Sequence, residues 1–104
     1  MTYSDKVKAS NIIINAINGL KDNESIIVTY GTDYNGDPKQ FRIRCNIFRD
    51  GKPSYSIYKN DVFSMSGMNI ETISKTTAKA YTYDMMNQRT SYTFPLYEME
   101  IVQE

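Results

Sequence analysis

Residues 39–48 alternate strictly between apolar and polar side chains, and this confines the middle of the chain to β-structure. Phe41, Ile43, Cys45 and Ile47 fall on one side; Gln40, Arg42, Arg44 and Asn46 fall on the other. A period of two is the pleat of a half-buried strand. Asp50-Gly51 follows and marks a tight hairpin. A three-residue loop, Arg49-Asp50-Gly51 with Gly51 in the left-handed region, sets Ile43 opposite Ile57 and Cys45 opposite Tyr55. On the other face it sets Arg42 opposite Tyr58 and Arg44 opposite Ser56. A two-residue loop would place Ile57 against Arg44. A one-residue slip carries every side chain to the wrong face, so the three-residue loop is the predicted one.

The same hairpin concentrates charge. Residues 39–59 hold Lys39, Arg42, Arg44, Arg49, Lys52 and Lys59 against one anion, Asp50, a net +5 in a chain whose 12 basic and 12 acidic residues cancel. Such separation implies a field directed at something.

The remaining elements are read from periodicity and punctuation. Residues 4–20 are predicted to form an amphipathic helix, with Ser4 as N-cap, Val7, Ile13, Ile14, Ile17 and Leu20 as its apolar stripe, and Gly19 as a left-handed stop. Glu24–Tyr30 reads as a strand covered on both faces, or on one face by the helix. GTDYNGDP at 31–38 is a cluster of turn formers. Residues 60–76 carry no clear period: Ser64–Met68 suggests a flexible loop, and Ile70–Ile73 a short strand or turn. Residues 78–85 alternate again, with Lys79, Tyr81, Tyr83 and Met85 on one side. Residues 91–102 read as one further strand, edge-lying or bulged at Pro95, with Tyr97, Met99 and Ile101 on one face and Glu98 and Glu100 on the other. The expected fold is α+β: one domain over 1–104, with an N-terminal helix on an antiparallel sheet of four to five strands spanning about 24 to 102.

Composition narrows the function. Two Leu stand against twelve Ile and nine Tyr, which points to a strand-built core. There is no His, so the commonest general base and metal ligand are missing, and the single Cys45 cannot form an internal disulfide. Cys45 lies on the apolar side of its strand and reads as a small buried hydrophobe rather than a nucleophile. Asp33-x-Asn35-x-Asp37 opens like a calcium-binding loop, but Pro38 occupies the position that needs Gly and Arg44 the one that needs Glu, so the stretch reads as a turn. No catalytic residue, cofactor or metal is expected, and the chain reads as non-enzymatic. The polar start shows no signal peptide and no segment reaches membrane-spanning length, so a cytoplasmic location without a membrane partner is expected.

The candidate interaction residues are Arg42, Arg44, Arg49, Lys52, Tyr55 and Tyr58 of the hairpin, Tyr34 at the tip of 31–38, and Glu98 and Glu100 of the acidic end. The bias to Asn, Ile, Lys and Tyr over Ala and Leu is that of AT-rich genomes, common in low-GC bacteria and their phages. The leading expectation is therefore a small phage or mobile-element accessory protein that binds and sterically inhibits a host protein, as anti-defence and anti-CRISPR proteins do. It would then work in the host cytoplasm. The alternatives are a single-stranded nucleic-acid-binding protein using the basic hairpin, since cations and rings on a sheet hold phosphates and bases, and a structural, virion-type protein or homodimer built by strand addition.

Overall fold

The computed structural model describes residues 1–59 and 67–102. These form one helix, α1 (Tyr3–Asn18), and strands β1 (Ser25–Thr32), β2 (Pro38–Ile47), β3 (Pro53–Lys59), β4 (Met68–Ile73), β5 (Thr77–Tyr83), β6 (Arg89–Pro95) and β7 (Glu100–Ile101). A 3-10 turn at Leu96–Glu98 separates the last two. The strands make one sheet in the order β6-β5-β4-β3-β2-β1-β7, antiparallel at every pairing. The α+β architecture is as expected, but the sheet has seven strands rather than four to five.

The extra strands have two origins. β4 comes from the stretch without a readable period; a bulge between Ile70 and Thr72 breaks its alternation. Of the loop expected over Ser64–Met68, residues 64–66 lie outside the described residues, and Met68 opens β4 instead. The second origin is Pro95. β6 ends at it: in this register the missing N–H lies on the open edge, so the β5 ladder runs on to the Leu96 N–H, which donates to the Thr76 carbonyl before the chain turns away in the 3-10 turn. The chain then crosses to the far edge of the sheet, where Glu100 and Ile101 pair with Thr29 and Val28 of β1. The single strand expected over 91–102 is therefore two strands on opposite edges.

The helix also begins and ends differently from expectation. Its N-cap is Thr2, not Ser4: Thr2 Oγ1 accepts the Asp5 N–H while Asp5 Oδ2 accepts the Thr2 N–H, a reciprocal capping box. Gly19 is right-handed, at φ −83°, because the last turn tightens and Leu20 N–H donates to the Ile17 carbonyl. The left-handed residue lies further on, at Asn23 with φ 67°, a residue type that tolerates that region.

The sheet is strongly curled. β1 and β6 are five strands apart, about 24 Å on a flat sheet, yet the rings of Tyr30 and Phe94 lie 5.9 Å apart between centroids, edge to face. The inner surface of this trough holds Val28, Phe41, Ile43, Ile57, Ala78, Ala80 and Phe94, and Ile13 and Ile17 of α1 with Leu96 and Met99 of the crossing segment fill it. The alanines of β5 let the trough close without overfilling. Ser10 is also fully buried, and its hydroxyl has no partner among the described residues.

Candidate interaction face

The face of the sheet opposite α1 is set by the β2–β3 hairpin, whose register matches the sequence expectation at each of the four pairs named above. Gly51 has φ 77° and donates its N–H to the Phe48 carbonyl, which makes the three-residue loop. Gly, with no Cβ, takes this conformation at least cost.

That register carries outward-pointing residues across the sheet in rows. Ser25, Arg44, Ser56, Asn69, Tyr81 and Ser91 lie side by side on six successive strands. One row along, Arg42 lies between Ile27 and Tyr58. Lys79 pairs with Thr93, and Tyr83 with Arg89. The outer face thus displays Arg42, Arg44, Lys79 and Arg89 among hydroxyls, an amide and three tyrosines.

The arginines on this face are held in different ways. Arg44 Nη2 donates to Asn23 Oδ1 at 3.0 Å, so the neutral amide of the left-handed residue fixes the guanidinium without cancelling its charge. Arg42 Nη1 donates to Ser25 Oγ at 2.7 Å. Arg89 instead forms an ion pair with Glu71 at 2.6 Å. It lies over the Tyr81 ring, 4.2 Å from its centroid, and Tyr83 meets the same ring edge-on. The Glu71 hydrogen bond pushes the Arg89 pKa further above its already high ordinary value.

Of the residues singled out in the sequence, Arg42, Arg44 and Tyr58 come together here. The others do not. Tyr55 pairs with Cys45 on the inner face and packs half-buried against the core. Arg49 and Lys52 are exposed at the β2–β3 tip. Tyr34 projects fully exposed from the β1–β2 tip at the other end of the sheet. Glu98 lies in the 3-10 turn, and Glu100 faces outward beside Thr29 at the β7 edge, so the two carboxylates do not share one strand face. Lys79, Tyr81, Tyr83 and Arg89 were missed as site residues. The alternation of 78–85 put the first three on one side, but only the strand order brings them beside Arg44.

Asp33 holds its turn rather than a ligand: its Oδ1 accepts the N–H groups of Asn35 and Asp37, while Gly36, at φ 82°, completes the reversal. Asp84 does the same for Met86 and Gln88. No cluster of three or more metal-ligating side chains occurs among the described residues, and none of their helices is long and apolar enough to cross a membrane.

Cys45 is fully buried, as expected of a small hydrophobe. Burial pushes its thiol above the ordinary value of 9.0, and the carboxylates of Asp22 and Glu24 add to the shift. The folded protein therefore keeps this proton to higher pH than the unfolded chain does. The stability tied to Cys45 is fully present below 9.0 and is lost as pH rises above it. Replacing Cys45 with Ala should flatten part of that alkaline decline. Urea melts of both proteins at neutral pH and above 9.0 check this; the same decline in both would assign it elsewhere, Tyr55 first, since burial raises its pKa too.

Compared with protein-family models, curated proteins and solved structures, the chain matches none of them.

Proposed function

We propose that this is a non-catalytic docking protein whose outer sheet face engages an acidic surface on a partner protein. The observation that carries this reading is the Arg44–Asn23 contact, which orients a guanidinium while leaving its charge for a carboxylate outside the chain. Arg42 and Tyr58 beside it add a planar donor and a ring of the kind that anchors protein interfaces. The rings argue against the nucleic-acid alternative. A row of bases needs open rings to stack on, but Tyr81 is covered by Arg89 and abutted by Tyr83, and Tyr58 is half-buried, which leaves Tyr83 as the exposed ring of the three. Docking of this kind acts sterically, and inhibition of a host protein by a phage accessory protein is the role that fits the residue bias.

The test uses the full chain as bait in lysate beside its Arg44→Glu variant, with circular dichroism as the check on folding. Retention of an acidic protein by the parent, and its loss with Arg44→Glu, is the expected result. Fluorescence anisotropy with a single-stranded oligonucleotide runs in parallel. Tight binding at low salt, with log K falling against log salt at a slope of about −3 for four phosphates, would replace this reading with the nucleic-acid one.

A further inference from the structure

The two edges of the sheet are finished differently. β7 is two residues long, and Glu98 and Glu100 lie at it. Shortness and charge both oppose strand-to-strand association. β6 has neither protection. Its seven residues pair with β5 in unbroken register from Arg89–Tyr83 to Pro95–Thr77, with no bulge. Between Arg89 and Pro95 it reads Thr-Ser-Tyr-Thr-Phe, without a charge. Arg89 does not guard the edge, because Glu71 and Tyr81 draw its guanidinium onto the outer face.

The open hydrogen-bonding groups of β6 can be named. In this register the Asp84 N–H donates to the Gln88 carbonyl, and the Leu96 N–H to the Thr76 carbonyl. The even-numbered residues of β6 therefore bond to β5. By the alternation of an antiparallel ladder, the N–H and C=O groups of Ser91 and Thr93 point away from it.

We propose that β6 is a homodimerisation edge. It pairs antiparallel with β6 of a second copy about a two-fold axis, Ser91 of each chain bonding to Thr93 of the other. This occupant is favoured on three counts. A strand that pairs with itself about a two-fold closes both open edges at once, whereas growth from β6 onto β7 of another copy meets a two-residue strand and its carboxylates. The chain has no net charge at pH 7, so two copies meet without long-range repulsion. And this register sets Tyr92, which is 49% exposed at the edge, directly opposite its counterpart as an aromatic cross-strand pair. Pro95 then falls opposite Arg89, so its missing N–H costs one bond at each end only.

Sedimentation velocity over a concentration series tests this. The parent protein should pass from monomer to dimer with no larger species. Thr93→Pro removes an outward N–H and leaves the β5 ladder intact, so it should weaken the dimer more than about tenfold. Tyr92→Lys, which sets charge against charge across the axis, should do the same and serves if Thr93→Pro perturbs folding. A parent that stays monomeric to about 1 mM overturns the proposal. So do folded variants that dimerise like the parent, or assemblies that grow beyond the dimer. Arg44→Glu should dimerise normally, so failure of the docking reading would leave this result standing.

Discussion

Replacing Leu96 with Ala should lower the unfolding free energy by about 3 kcal/mol, the middle of the range for deleting a buried Leu side chain. Leu96 is fully buried, the sole leucine in the core cluster, and sits where the chain leaves β6 to cross the trough. Its N–H ties the crossing to Thr76, and its carbonyl accepts the Met99 N–H. The damage should therefore extend to β7. Hydrogen exchange at Val102, whose N–H donates to the Ile27 carbonyl, should lose more protection than exchange within β5. A loss below about 1 kcal/mol in a urea melt would mean that the crossing segment is not a structural tie.

Ile43→Ala should cost a similar amount, about 3 kcal/mol, while Arg44→Ala, one residue on, should cost under about 1 kcal/mol. The contrast follows from the pleat. Ile43 is 1% exposed and lies between Ile26 and Ile57 on the inner face; Arg44 points to the exposed side and gives up one hydrogen bond to Asn23. Paired denaturant melts would show it, and equal losses at both positions would contradict the assigned register.

That register was legible in the sequence because two independent signals agree on it: the alternation of Phe41–Ile47 and the turn chemistry of Asp50-Gly51. The helix was legible from its stripe, though its start was missed. Thr2 and Asp5 hold the capping-box spacing, but they precede the first apolar repeat, where the eye finds Ser4. β4 showed only as a short strand or turn over Ile70–Ile73, because its bulge breaks the alternation. The split of 91–102 was hidden because Pro95 marks only an edge or a bulge; where the chain goes next depends on the trough it must cross. The interaction face was half legible for a related reason. Arg42, Arg44 and Tyr58 are neighbours within one hairpin, whereas Lys79, Tyr81 and Arg89 join them only through β4, which the sequence marked no more firmly than as a short strand or turn. Tyr55 shows the opposite error: its place opposite Cys45 already assigned it to the core, and its ring chemistry alone suggested a surface role.

The crossing segment also dictates an order of assembly. Strands β1 to β6 form a meander in which each pairs with its neighbour in sequence, so their contacts can close as the chain is made. The partner of β1 on its other side is β7, more than about seventy residues further along. Until β7 arrives, Ile26-Ile27-Val28-Thr29 stands as an open, β-branched template of the kind that recruits foreign strands. The most hazardous surface of this protein therefore belongs to its nascent state, and the two residues of β7 retire it.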